Sequence, residues 1–140
     1  MRHHTIPRIV TKLLIPVFLL FGLYVQFHGD FSAGGGFQAG VIFAAGFILY
    51  NIIFGLDIGK SILSVNTSKS LMALGVILYL MVGFLGILLG GNFLEYNYLS
   101  NTPINGQLLG IFLVELGVGL TVSNVMVLVF YSFNDISEEK

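Results

Sequence analysis

The chain has 140 residues, of which 56% are hydrophobic and only 9% are charged. Soluble domains carry about one quarter charged residues, so this composition excludes a soluble globular protein and indicates an integral membrane protein. The net charge of −1 offers no basic surface for nucleic acid, and the absence of cysteine excludes disulfides, thiolate metal sites and cysteine catalysis.

Four apolar segments follow one another along the chain, each long enough to cross a bilayer as a helix. We predict helices over residues 9–27, 37–56, 71–91 and 108–131. The first follows a short basic head and is similar to a signal peptide, but no A-x-A cleavage site follows it and three further apolar segments come after it, so we expect it to be retained. Because lipid does not tolerate open sheet edges, the predicted fold class is an all-α integral membrane protein, with four transmembrane helices in one domain spanning residues 1–140.

The basic residues predict the orientation of these helices. They lie before or at the start of the first helix, between the second and third, and after the fourth: Arg2, Arg8, Lys12, Lys60, Lys69 and Lys140. The other two loops, 28–36 and 92–107, have no lysine or arginine. By the positive-inside rule, both termini are expected on the cytoplasmic side.

Glycines recur at helical spacing in the last two segments. The third segment carries Gly75, Gly83, Gly86 and Gly90, and the fourth carries Gly110 and Gly117. Small side chains let membrane helices approach closely, so we predict that these positions pack against neighbouring helices.

A glycine-rich run, SAGGGFQAG over residues 32–40, joins the first two helices. Its pattern of glycines also fits a dinucleotide-binding motif, but it follows a membrane helix rather than a strand, which argues against that interpretation. Because glycine permits positive φ, we predict a tight turn that starts the second helix at once. The residues of this turn motif are Gly34, Gly35, Gly36, Phe37 and Gly40.

One residue of the fourth segment, Glu115, does not suit hydrocarbon. An acid at the centre of a membrane helix costs about 2.5–3.5 kcal/mol on insertion scales, so it is tolerated where it faces protein or water. Its face is shared by Leu108, Phe112, Gly119, Val122 and Met126, while Gly110, Gly117 and Asn124 lie on the opposite face. Because both faces suit close contact, we predict that this helix is enclosed by protein.

In the predicted orientation, Glu115 lies about 10 Å from the outer end of its helix, on the same side as His28, Asp30 and Gln38. A carboxyl group and a histidine in one cluster suit proton relay or cation coordination, so these four residues are candidates for an ion pathway. The alternative is that Glu115 is a neutral hydrogen-bond partner of a neighbouring subunit, while His28 and Asp30 cap helices or face water. We find no catalytic set, metal-ligand cluster or phosphate loop, and we expect no enzymatic activity, cofactor or bound metal.

Three features together resemble the B subunit of the Mrp (Mnh) multisubunit cation/proton antiporter: four helices of this size, FHGDFSAGGGFQAG after the first, and VELGVGLTV in the last. The resemblance covers nearly the whole chain. The acid of this family's fourth helix is often aspartate, where this chain has Glu115.

The resemblance implies a multi-pass protein in the cell membrane of a prokaryote, working within a complex of several different antiporter subunits. Such a complex exchanges Na+ or another monovalent cation for H+ and supports pH homeostasis and salt tolerance. The same domain type occurs in membrane-bound hydrogenase complexes, where this chain would be a purely structural subunit. A third hypothesis is a stand-alone small transporter acting as a homodimer.

Overall fold

The computed structural model describes residues 5–29 and 34–138. The helices in this part of the chain are α1 (Thr5–Phe27), α2 (Gly36–Phe54), α3 (Leu56–Ile62), α4 (Val65–Leu88) and α5 (Pro103–Glu138), with a 3-10 helix over Tyr96–Leu99. Of these, α1, α2, α4 and α5 are long and apolar enough to cross a membrane. The prediction of an all-α protein with four such helices is therefore confirmed.

The α5 helix is the inner member of the helix array. It packs extensively against both α4 and α2, while α1 packs mainly against α2. The spatial order is therefore α1, α2, α5, α4. This order places protein on two sides of α5, as expected for a membrane helix that carries an acid.

The second predicted helix ends earlier than its apolar pattern suggests, because Gly55 interrupts it. Gly55 has a φ of 105° and follows the last residue of α2, Phe54. The chain then forms the short helix α3, which the sequence did not predict. Gly59 of α3 lies so close to the Asn51 side chain that a Cβ at this position would overlap the amide. Contact with α2 therefore holds α3 in place.

The helices α4 and α5 are longer than the predicted segments, because each starts several residues earlier, in polar sequence that also adopts a helix. The Ser64 side chain caps α4 by accepting a hydrogen bond from the Thr67 backbone N–H at 3.1 Å. The α5 helix starts at Pro103, where the missing N–H costs no helical hydrogen bond. Hydropathy detects only the apolar part of each helix, so it misses these starts.

Glycines bring α4 and α5 into backbone contact at one level. A Cβ on Gly75 would overlap the Thr121 hydroxyl and lie 2.6 Å from the Gly117 carbonyl oxygen. The Thr121 hydroxyl donates to that carbonyl at 2.9 Å. A methyl group at Gly75 would therefore force the two helices apart.

The other predicted packing glycines lie against the connection between α4 and α5 rather than against a spanning helix. Gly83 faces the Phe93 ring, Gly86 faces the Asn92 carbonyl and Gly110 faces the Tyr96 ring. Gly90, in contrast, lies beyond the end of α4, and nothing is within 4 Å of a Cβ built there. The spacing of these glycines indicated close contact without revealing the partner.

Replacing Gly75 with leucine is expected to separate α4 from α5 and destabilise the protein by about 1–3 kcal/mol, the usual cost of overpacking. Ala73→Leu is the matched control, since Ala73 is exposed on the same helix. Thermal unfolding of both full-length variants in detergent measures the difference. Equal midpoints for the two variants would contradict this contact.

Candidate ion site

Gly34 and Gly35, which directly precede α2, lie against the end of α1. The backbone N–H of Gly35 donates to the Val25 carbonyl oxygen at 3.2 Å. Gly35 has a φ of 120°, which L side chains rarely adopt, and it directly precedes the first residue of α2. A Cβ on Gly34 would lie 2.8 Å from the same Val25 oxygen. The chain therefore turns into α2 at Gly34 and Gly35, in contact with α1.

The side chain of Glu115 lies against this turn. A Cβ built on Gly29 would be 2.8 Å from Oε1 and 3.1 Å from Oε2 of Glu115. A Cβ built on Gly35 would be 3.1 Å from Oε1. The carboxyl group therefore occupies space that is free only because both residues lack a side chain. We name this arrangement, formed by Gly29, Gly35 and Glu115, the glycine pocket.

The start of α2 crosses α5 immediately beside the glycine pocket. A Cβ on Gly36 would overlap the carbonyl oxygen of Glu115, and a Cβ on Gly40 would lie 2.8 Å from the carbonyl oxygen of Gly119. A Cβ on Gly119 in turn would lie 3.1 Å from the Gly36 carbonyl oxygen. This interlocking of backbones fixes the position of Glu115 relative to the turn.

The start of α2 contributes a positive electrostatic field to the pocket. The N–H groups in the first turn of a helix lack partners within the helix, and the macrodipole places about half a positive elementary charge there. Gly35, the N-cap residue of α2, has no side chain that could cap these groups. The half-buried carboxyl group of Glu115 lies beside this helix start. A carboxylate in such a position gains about 0.3–1 kcal/mol, and up to about 2 kcal/mol when it is partly buried.

The glycine pocket lies at a level where the α1–α2 pair of helices and the α4–α5 pair differ in length. The described part of α1 and α2 ends at the level of Glu115, whereas α5 extends from Glu115 back to Pro103, about 18 Å further. From Gly75, which contacts α5 near Thr121, α4 extends about 20 Å in the same direction to Leu88. At the end of the molecule away from the termini, α4 and α5 therefore extend beyond the described part of α1 and α2.

The other predicted ion-pathway residues have different surroundings. Gln38 is exposed, and its Oε1 lies 3.5 Å from a Cβ built on Gly35, on the side where Glu115 also approaches. The ring of His28 turns back along α1, with Nδ1 3.1 Å from the Tyr24 carbonyl oxygen and the two rings stacked at 4.1 Å. Asp30 lies outside the described residues. Phe37 of the turn motif is 60% exposed.

Gln26 is a polar residue of this region that the sequence reasoning missed. It is only 7% exposed, and its Nε2 has no hydrogen-bond partner. Its Oε1 lies 2.7 Å from a Cβ built on Gly119, one turn from Glu115. The available signal was a glutamine just before the end of an otherwise apolar helix, in α1.

A second polar group lies at the opposite end of α5. The Lys60 amine is 2.8 Å from the Asp135 carboxylate, and both side chains are partly exposed. The buried Tyr131 hydroxyl donates to the Leu63 carbonyl oxygen at 2.9 Å. These contacts attach the segment between α2 and α4 to α5. An exposed ion pair contributes about 0–1 kcal/mol to stability, so we expect the buried Tyr131 hydrogen bond to contribute more than the Lys60–Asp135 pair.

Comparison with known proteins identifies a family. A family model for domains related to the MnhB subunit of the Na+/H+ antiporter matches residues 6–128. A relative from Staphylococcus haemolyticus, named "Putative antiporter subunit mnhB2", is 36% identical over 134 residues, covering 91% of this chain and 92% of the relative. A relative of the same name from Staphylococcus aureus (strain Newman) is 35% identical over 130 residues, with the same coverage.

The crossing of α2 over α5 can be tested with two glycines of α2. Gly36→Ala is expected to destabilise the protein by about 1–3 kcal/mol, because the new methyl group overlaps the Glu115 backbone. Gly46→Ala is the control, since its Cβ would lie 3.4 Å from Phe18 in ordinary contact. Alanine is the better helix former, so the control gains up to about 1 kcal/mol. Thermal unfolding that ranks the two variants the other way would contradict the crossing.

Proposed function

We propose that this chain is a membrane subunit of a multisubunit Na+/H+ antiporter. It belongs to the family of domains related to the MnhB subunit of the Na+/H+ antiporter. Its place is the plasma membrane, beside the other subunits of that antiporter. Its family supports a role in transport, and we propose no enzymatic activity for it. Within the complex, we assign the glycine pocket to the ion pathway.

The observation that carries this proposal is the position of the Glu115 carboxyl group. It lies within a span apolar enough to cross the membrane, and it contacts the backbone of a turn beside the start of α2. An ionisable residue inside a membrane span is a functional candidate by default, because its insertion is costly. We propose that water reaches this residue from the end of the molecule where α4 and α5 extend beyond the described part of α1 and α2.

The chemistry of the pocket suits the alternate binding of a proton and a small cation. The start of α2 stabilises the ionised carboxylate, and either a proton or Na+ neutralises that charge in a site of low dielectric. The Gln38 amide oxygen lies on the same side of Gly35. Carboxylate and amide oxygens are ligands that hard cations prefer. Competition of the two ions for one carboxylate couples their movements in opposite directions.

A structural role for Glu115 is the second candidate, and one observation favours it. The backbone of Glu115 is itself part of the α2–α5 crossing, because Gly36 contacts its carbonyl group. In this alternative the side chain only fills the space beside Gly29. The two roles differ in what they require of the side chain, since only ion binding requires an ionisable group.

Glu115→Gln is expected to preserve assembly of the complex and to abolish Na+-dependent proton movement, because glutamine keeps the shape but cannot ionise. Glu115→Asp is expected to retain part of the exchange, since it keeps the carboxyl group. The measurement is the recovery of the fluorescence of a pH-sensitive dye in everted vesicles when Na+ is added. The amount of assembled complex is determined by immunoblot.

The matched control is Glu95→Gln, in the connection between α4 and α5, where the side chain accepts hydrogen bonds from Asn92. This variant is expected to exchange normally. If Glu115→Gln assembles and exchanges as well as Glu95→Gln does, the proposed ion role is refuted and the structural role remains.

We also propose that the termini are cytoplasmic and that the glycine pocket opens to the outside. The chain has no cysteine, so single cysteines can report their side of the membrane. In intact cells, an impermeant maleimide is expected to label Gln38→Cys but not Ser61→Cys, although both residues are exposed. Permeabilised cells should label both. The reverse pattern would show that the orientation is inverted.

A further inference from the structure

The apolar parts of α2 and α4 lie at different levels along α5, which packs between these two helices. Gly36, at the start of α2, contacts the backbone of Glu115, and Gly40 contacts that of Gly119. The apolar part of α2, residues 37–54, therefore begins at the level of Glu115. Its middle lies about 14 Å from that level, towards the end of the molecule that carries the termini.

The apolar part of α4 is displaced in the opposite direction. Gly75 lies between the levels of Gly117 and Thr121, because a Cβ at this position would meet both residues. The apolar part of α4, residues 71–89, has its middle five residues beyond Gly75 and therefore close to the level of Glu115. The middles of the two apolar parts are thus about 15 Å apart along the helix axes.

The basic residues at the other end of the molecule are displaced in the same direction. A Cβ on Gly46 would lie 3.4 Å from Phe18. This contact places the exposed Lys12 of α1 about 24 Å from the level of Glu115. The exposed Lys69 of α4 lies only about 15 Å from that level. A displacement of the same sign at both ends is a shift of one helical pair against the other, rather than a difference in length.

An upright protein does not place both apolar parts in one hydrocarbon core. Each part is about 27 Å long and by itself nearly fills a core of about 30 Å. With the 15 Å shift, about half of one part would then lie outside the core. The far end of α4 has much to lose from such exposure, since Ile87 is 47% exposed and Leu88 is 80% exposed. A tilt in the plane of the helices removes the mismatch.

Two lengths give the size of this tilt. Packed helix axes lie about 8–10 Å apart, so α2 and α4, on different sides of α5, are separated by at most about 20 Å. A tilt of about 40° then compensates the 15 Å shift. Separately, the apolar segment 108–131 of α5 is about 36 Å long and spans 30 Å at a tilt of about 35°. The shift and the length of α5 therefore give similar angles.

We propose that this protein contacts the bilayer through an oblique apolar belt, with its helix axes tilted by about 35–40° from the membrane normal. This tilt exceeds the average of about 20° for membrane helices. It brings Lys12 and Lys69 to one headgroup level, and it raises the start of α2 towards the opposite surface. The inference does not rest on the proposed ion role of Glu115, since it follows from apolar lengths and backbone contacts alone.

The test measures the depth of spin labels on the full-length chain in vesicles of phosphatidylethanolamine and phosphatidylglycerol. Val17→Cys and Leu80→Cys carry the label, because these residues are 58% and 40% exposed and lie at least about 15 Å apart along the helix axes. Collision with oxygen and with a nickel chelate gives the depth. In the tilted protein both labels lie within about 4 Å of the bilayer midplane. In an upright protein at least one lies about 7 Å or more from it.

Leu88→Cys calibrates the depth scale on α4, since it is eight residues beyond Leu80 and is expected about 9 Å nearer the surface at this tilt. Polarised infrared spectroscopy of the unlabelled chain in oriented bilayers should give a mean helix tilt of about 35–40°. Thermal unfolding identifies labelled variants that fail to fold. A mean tilt below about 30°, or either midplane label more than about 6 Å from the midplane, would overturn the proposal. The displaced apolar surfaces would then belong to contacts with neighbouring subunits.

Discussion

The contact between the Glu115 carboxyl group and the backbone of the α1–α2 turn is the constraint on which the rest of the arrangement depends. An acid in a membrane helix is tolerated only when polar groups or water replace its hydration. Here the replacement is backbone at the start of α2, brought within reach because Gly29 and Gly35 have no side chain. The glycine run and the acid, about 80 residues apart in the chain, therefore form one structural unit.

This constraint also explains the packing of α2 on α5. Gly36 and Gly40 let α2 approach the backbone of α5 at Glu115 and Gly119, and any larger residue would withdraw the helix start from the carboxyl group. Glycines in membrane helices are usually explained by packing alone. At this crossing they have a second consequence, since close packing determines how strongly the field of the α2 dipole acts on the acid.

The sequence predicted the four spans because hydrophobic length is a direct consequence of bilayer thickness. It also indicated Glu115 and the glycine run as unusual, since one is costly in lipid and the other is conformationally permissive. It did not predict that they touch, because a contact between distant segments depends on the order of helices in space. The start of α4 and the short helix α3 were missed for a local reason. Ser64 and Gly55 determine them, and hydropathy does not register either signal.

The surroundings of Val127 on α5 bear on whether this chain could transport ions alone. Ala44, Val127 and Tyr131 form a buried apolar cluster, and along α5 this cluster lies between Glu115 and the Lys60–Asp135 pair. The polar groups at the two ends are thus separated by apolar packing in the described part of the chain. In the proposed ion role, an ion bound at Glu115 therefore leaves this chain through a neighbouring polypeptide, which in the homodimer hypothesis is a second copy of the chain. The membership of this chain in a family of antiporter-subunit domains favours a different subunit of a larger antiporter as that neighbour.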